Sequence, residues 1–335
     1  MNLRHHGDRE ATPGLVDFAV NVHPAPMPSW LREAITRSVD DLARYPDPTE
    51  AEAALATHHH RERDDVLATS GAAEAFTLIA RLTAWRRPVV VHPQFTEPDV
   101  ALENAGHAVD HVVVGSPRRG GLPDFGLETT AIPDDADLVV VGNPTNPTGV
   151  RHRAAALQEL TGEGRLVVVD EAFNDNGAES LADERIPGLL VVRSLTKLWA
   201  IAGLRAGYVL GEPDTVARLR ELQPPWSVST PAAAAMIACT SDQARAEASA
   251  RDEQVTRWRE HLEQGLRDAG IEHVPSSAPF VLARPGAGVH AALRARGVAV
   301  RRCDTFPGLD DSWVRIAVRP PEVTRILLDL LSAPA

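Results

Sequence analysis

One lysine stands out in a chain that otherwise carries positive charge as arginine. Of 34 basic residues only Lys197 is a lysine; the other 33 are Arg. An arginine stays charged in proteins, whereas a lysine amine can become neutral and attack a carbonyl. Lys197 closes the tetrapeptide Ser194-Leu195-Thr196-Lys197, directly after a Val-rich run. Its amine suits a Schiff base with an aldehyde cofactor. Asp170 ends the preceding Val-rich run, in Val167-Val168-Val169-Asp170-Glu171-Ala172. A carboxylate there can pair with a protonated ring nitrogen and keep the ring an electron sink. After Ser70, Gly71-Ala72-Ala73 opens a helix pattern, and small residues let a phosphate approach bare N–H groups at its positive end. Ser194, Thr196 and Arg205 can add donors to the same anion. Phe95, in His92-Pro93-Gln94-Phe95, can stack on an aromatic ring. Asn146, in Asn143-Pro144-Thr145-Asn146-Pro147-Thr148-Gly149, offers an amide to a phenolic oxygen, and the bond to Pro147 is a candidate for the cis form. Each has a bland alternative: Asp170 as a helix cap, Arg205 as a surface ion pair, Phe95 as core. Their joint order, each at the end of a successive run, is much harder to assign to chance.

The elements that must position these residues follow a repeating pattern. The apolar runs Pro88–His92, 137–142, 165–170 and Leu189–Ser194 are nearly unbroken, as strands buried on both faces should be. Helical periodicity fills 72–83, 97–105 and 153–160 between them. The alternation predicts an α/β fold with a mostly parallel sheet and helices on both faces, with ligands beyond the carboxyl ends of the strands. Pro224-Pro225 marks a break after the helical 214–223. Residues 231–269 read as one or two helices. The rest mixes short strands, at 280–283 and 313–318, with helices at 289–296 and 322–332. The expected organisation is an N-terminal arm at 1–35 belonging to a small α+β domain, a large domain at 36–223, and the rest of the small domain at 224–335.

Composition narrows the function. With 335 residues and 44% hydrophobic content, the chain can bury a large core. No apolar run reaches the roughly 18 residues a membrane span requires, and residues 1–10 lack an apolar signal core, so a cytoplasmic protein is expected. A net charge of −12 argues against a nucleic-acid partner and requires locally placed arginines for any anionic substrate. Cys239 and Cys303 are too few for a disulfide framework or a thiolate zinc site. His58-His59-His60 cannot converge on one ion from a helix, since adjacent residues point about 100° apart. No metal is expected. A P-loop and a dinucleotide-binding glycine pattern are both absent.

In order, the Gly-Ala-Ala-Glu, Asn-Pro-Thr-Asn-Pro-Thr-Gly, Asp-Glu-Ala-Phe, Ser-Leu-Thr-Lys and Gly-Leu-Arg-Ala-Gly-Tyr segments resemble the class I/II aminotransferases of the aspartate-aminotransferase fold. Within them the chain resembles histidinol-phosphate aminotransferases and, more closely, threonine-phosphate decarboxylases of cobalamin biosynthesis. The resemblance implies the type I fold of pyridoxal-phosphate (PLP) enzymes, with a seven-stranded large-domain sheet. It implies that Lys197 carries the cofactor and shuttles protons, Asp170 holds the ring nitrogen, Asn146 the ring hydroxyl and Phe95 the ring face. Ala72, Ala73, Ser194, Thr196 and Arg205 would hold the cofactor phosphate. Tyr45 would reach the phosphate of a neighbouring subunit, which implies a homodimer with shared sites. Arg315 would clamp the substrate carboxylate, with Arg301 nearby and Asn21 lining the substrate side. Phe173 stands where the aminotransferases usually have a Tyr, and residues 174–180 lack an expected aromatic. Phe173 and the stretches 224–228 and 306–310 lean toward the decarboxylases. The sequence therefore ranks decarboxylation of threonine phosphate first, transamination second, and a non-catalytic PLP-binding protein third.

Overall fold

The computed structural model describes residues 3–115, 121–175 and 177–332. Strands in chain order are β1 (Val16–Phe18), β2 (Val66–Thr69), β3 (Pro88–His92), β4 (Asp110–Val113), β5 (Leu138–Gly142), β6 (Leu166–Asp170), β7 (Leu189–Ser194), β8 (Gly207–Leu210), β9 (Glu272–His273), β10 (Phe280–Arg284), β11 (Val298–Arg302) and β12 (Val314–Ala317). The helices are α1 (Ser29–Arg37), α2 (Thr49–His58), α3 (Ala72–Arg81), α4 (Glu97–Asn104), α5 (Ala154–Gln158), α6 (Pro213–Leu222), α7 (Thr230–Cys239), α8 (Asp242–Asp268), α9 (Val289–Ala295) and α10 (Pro321–Ser332).

Seven strands form the large sheet, in the order β2-β8-β7-β6-β5-β3-β4. Only β8 runs against its neighbours; the β7-β6, β6-β5, β5-β3 and β3-β4 pairs are parallel. The expected mostly parallel sheet is present. Side-chain alternation explains its unbroken valine runs. Val89, Val91, Val139, Val141, Val167 and Val169 enter one core with α1 and α7, while Val90, Val140, Val168 and Val192 enter another with α3 and α6. The smaller sheet, β1-β11-β12-β10-β9, is antiparallel except for β1 beside β11. Val255 and Leu262 of α8, Leu293 of α9 and Leu327 of α10 cover it.

Residues 231–269 resolve into two helices. Ser241 breaks the run and caps α8, its side chain accepting from the Ala244 N–H. The apolar core under the large sheet takes in Leu31 of α1, Ala232 and Met236 of α7 and Ala244 of α8. We therefore take the large unit to run from α1 into the start of α8, wider than the 36–223 span expected from sequence. A turn at Pro224-Pro225 ends α6 without ending the core. Among the described residues, no helix is long and apolar enough to cross a membrane.

Candidate active site

The carboxyl ends of β2, β3, β5, β6 and β7 point to one side of the large sheet, where the smaller sheet faces them across a cavity of about 370 Å³. Every residue singled out from sequence lines this cavity except Tyr45 and Arg301.

Lys197 lies just past β7. Its Nζ donates to Thr196 Oγ1 at 2.8 Å, and that hydroxyl lies 2.7 Å from Ser194 Oγ. Burial, aided by the positive charge of Arg205, lowers the amine from its ordinary 10.5 to about 8. Neutral amine thus becomes a substantial fraction near physiological pH. The rate at which Lys197 captures a small aldehyde should rise about tenfold per pH unit below 8 and level off above it, a profile readable by stopped-flow absorbance. A plateau only above pH 10 would contradict the buried placement.

Asp170 ends β6 opposite Gly142 of β5. The Ala172 N–H donates to its Oδ1 at 3.0 Å. Burial pushes the carboxyl up to about 6, against the opposing pull of the Ala172 N–H and Lys197, so it remains largely ionised at neutral pH.

The anion cradle is built where β2 turns into α3. No side chain caps the first turn of α3, so the N–H groups at Ala72 and Ala73 are left for a ligand. Gly71 takes φ +77, and a Cβ on it would lie 2.6 Å from Arg205 Nη2. The guanidinium therefore rests on a bare Cα, with Nη1 anchored to the Ala202 carbonyl at 3.0 Å. A Cβ on Gly207 would sit 2.8–3.0 Å from Gly71 C, Gly71 Cα and Ala72 N. These are backbone atoms and cannot step aside cheaply. Gly207→Ala should therefore lift the cradle and weaken cofactor binding at least tenfold, roughly 1.4 kcal/mol, in an absorbance titration.

Phe95 and Asn146 line the same cavity. The Asn146–Pro147 bond is cis, as are His92–Pro93 and Asn143–Pro144. Arg315 Nη1 donates to Asn146 Oδ1 at 2.6 Å, leaving the Asn146 amide N–H groups as the donors to a ring oxygen. Arg315 also donates to the Ala19 carbonyl at 2.5 Å and lies 5.3 Å from the centre of the Phe280 ring. With its amide oxygen turned toward Arg315, Asn21 accepts at 3.1 and 3.2 Å. Burial, with Arg301 adding repulsion, lowers the Arg315 guanidinium to about 9, so an arriving anion would relieve an unfavourable charge. Phe173 stands edge-on to Phe280, ring centres 5.1 Å apart, and contributes no hydroxyl to the cavity wall.

Of the expected site residues, Arg301 needs correction, and Tyr45 lies outside this chain's own cavity, as a role toward a second copy requires. Arg301 lies opposite Arg315 in the β11-β12 pair but does not line the cavity. Its guanidinium donates to the carbonyls of His5 and Arg302, each at 2.5 Å, and to Thr305 Oγ1 at 2.7 Å. Arg302 is the next residue on the strand and points to the other face, where it pairs with Asp304 at the surface. The two arginines therefore do not act as a joint anion site. Tyr45 is 76% exposed and stacks on exposed Trp226, ring centres 4.4 Å apart, away from this chain's own cavity.

Sequence reasoning placed an N-terminal arm at 1–35 but missed that its first residues reach the site. His6, Gly7 and Asp8 line the cavity, with Glu97 from α4 beside them. The arm is pinned by His6 Nε2 to Glu97 Oε1 at 2.5 Å, by Thr96 Oγ1 to the Leu3 carbonyl at 2.6 Å and by Arg4 to Asn104 at 2.8 Å. Its polar composition carries no periodic signal that would separate it from a solvated terminus.

A buried amine, a carboxylate lining the same cavity and an uncapped helix start beneath an arginine fit the aldehyde, the ring nitrogen and the phosphate of one cofactor. Fold and site together define a PLP-dependent enzyme of fold type I. Residues 13–331 match the family of class I and II aminotransferases, and the chain belongs to that family. It is 47% identical over 325 residues, 95% of this chain and 87% of the relative, to a histidinol-phosphate aminotransferase of Mycobacterium tuberculosis. It is 30% identical to the threonine-phosphate decarboxylase of Salmonella typhimurium, covering 95% of this chain and 90% of that protein. Among solved structures, the histidinol-phosphate aminotransferase of Clostridium acetobutylicum shares the fold, with a TM-score of 0.86, 24% identity, and coverage of 95% of this chain and 98% of that one.

Proposed function

We propose that the protein is an aminotransferase whose amino substrate carries a phosphate, of the histidinol-phosphate type. In this reading the arginine that meets the substrate anion is the buried Arg315, which lines the cavity together with Lys197. Arg205 lies against the cofactor cradle, and Arg301 is bound to the N-terminal arm. Among the described residues that line this cavity, Arg315 is therefore left for the substrate, and it can hold a phosphate in one half-reaction and a carboxylate in the other. The observation that carries this reading is the 47% identity to a histidinol-phosphate aminotransferase, against 30% to a threonine-phosphate decarboxylase, and it reverses the order suggested by sequence. The decarboxylase remains the second reading because Phe173 supplies no hydroxyl.

When bound, the cofactor supplies an aldehyde that takes up amines and a ring that draws electrons from Cα. Asp170 keeps that ring protonated. Arg315 and Asn21 orient the substrate, and orientation decides which Cα bond breaks. Lys197 would hold the aldehyde, and its Nζ, partly neutral near physiological pH, would be the base that accepts and returns the substrate's Cα proton. The decisive experiment incubates the loaded enzyme with histidinol phosphate and 2-oxoglutarate and, separately, with threonine phosphate alone. Glutamate appearing only in the first mixture supports the proposal; acceptor-independent release of carbon dioxide from the second overturns it.

Exposed Val39, Leu42, Tyr45 and Trp226 support a homodimer in which Tyr45 completes the partner's site. Mixed dimers of Lys197→Ala and Tyr45→Ala chains should then regain activity, because one of their two sites carries neither lesion. If the mixture stays as inactive as its parts, or the protein sediments as a monomer, the shared site is refuted.

A further inference from the structure

Three side chains with metal-ligand chemistry meet away from the cavity. His92 is the last residue of β3, His111 the second of β4, and Asp99 lies in the first turn of α4. In the parallel β3-β4 pair, Val90 lies opposite His111 and His92 opposite Val113, so the two histidines are diagonal neighbours on one sheet face. Their rings stand edge-on with centres 4.5 Å apart. Nε2 of His92 lies 3.1 Å, and Nε2 of His111 2.8 Å, from the same Asp99 Oδ1. The His92 and Asp99 side chains are fully buried, and that of His111 is 33% exposed.

A hydrogen-bonded triad would account for Oδ1 only. Asp99 Oδ2 is buried without a hydrogen-bond partner among the described residues, an expensive state for a carboxylate oxygen. We propose that His92, Asp99 and His111 form a binding site for a divalent transition-metal ion of the zinc type. Ligand atoms held at 2.0–2.2 Å around a tetrahedral ion lie about 3.3 Å from one another. Both nitrogens lie within 3.1 Å of Oδ1 and all the ligand atoms within 4.8 Å of one another, so rotation of the rings and of the carboxylate, bringing Oδ2 to the ion as well, would admit it. Two imidazoles and one carboxylate select zinc, cobalt or nickel over magnesium or calcium. The carboxylate offsets the ion's charge inside the core, and the partly exposed edge of His111 leaves a fourth position for water. The Gln94 N–H donates to His92 Nδ1 at 3.4 Å, a long and weak bond that coordination through Nε2 would have to give up. An ion here would tie edge strand β4 to β3 and α4 beneath the segment leading to Phe95. None of the three residues lines the cavity, so the role is structural.

The test uses cofactor-loaded protein stripped with EDTA and desalted, then titrated with Co(II). The expected result is one equivalent bound with the strong visible absorption of tetrahedral cobalt, displaced by Zn(II), with a rise in Tm. His111→Ala, the substitution at the least buried ligand, should weaken binding at least tenfold and abolish the Tm rise while transamination persists. His60→Ala, at the exposed end of the 58–60 histidine run, should leave cobalt binding unchanged. Absence of the cobalt spectrum, equal affinity in His111→Ala, or loss of binding in His60→Ala would each overturn the assignment.

Discussion

Lys197→Ala is expected to lower kcat/KM by about four orders of magnitude or more, some 5 kcal/mol of transition-state stabilisation. Two roles disappear together: the amine that anchors the cofactor and the base that moves the Cα proton. Lys197→Arg should not rescue either, since a guanidinium keeps its charge and its proton. The composition gives this prediction an unusually clean second readout. Lys197 is the only lysine in the chain, so no other side-chain amine competes for the aldehyde. Borohydride reduction of the loaded enzyme should add one pyridoxyl group, mapping to the peptide that contains Lys197. The alanine variant should add none there, yet still hold the cofactor without a covalent bond, because the α3 N-terminus and Arg205 remain. A reduced adduct absent from the wild-type peptide would remove the basis of the functional reading.

Much of this site was legible because strand burial and strand ends are local signals. Val167-Val168-Val169-Asp170 reads as a strand buried on both faces that stops at a carboxylate, and the structure places it so. The other strands were harder. β4, Asp110–Val113, is an edge strand that is mostly exposed, so it lacks the apolar run that marks its neighbours. Arg301 shows the limit of positional reasoning. Its backbone position, opposite Arg315, is where sequence order suggested, but its side chain is captured by the His5 carbonyl, 296 residues away. Strand alternation already implied that Arg301 and Arg302 could not both face the substrate. Tyr45 illustrates a different limit: its exposed ring has no role within one chain, and only a second copy could give it one. The docking of residues 6–8 onto the site was not legible, because it depends on pairings such as His6 with Glu97, made across 91 residues with no periodic pattern on either side.

Asp170→Asn is expected to lower kcat about 100- to 1,000-fold, or roughly 3–4 kcal/mol, while leaving the fold and most cofactor affinity intact. The structure shows why this substitution separates two readings of the residue. Asp170 does act as a local cap, accepting the Ala172 N–H at 3.0 Å, and an asparagine oxygen can accept that bond equally well. What asparagine lacks is the charge. If Asp170 were only a cap, the substitution would be nearly silent. If its carboxylate stabilises a protonated ring nitrogen, the ring of the variant loses its power to draw electrons from Cα, and kcat falls with KM little changed. A second consequence follows from the electrostatics around Lys197. Burial and Arg205 lower its amine to about 8, and Asp170 is the carboxylate that pulls hardest in the opposite direction. Removing that negative charge should shift the amine below 8, so the pH profile for aldehyde capture should reach its plateau earlier in the variant than in the wild type. A silent variant, or one whose profile moves upward, would return Asp170 to the role of a structural cap and leave the ring nitrogen without its counter-charge.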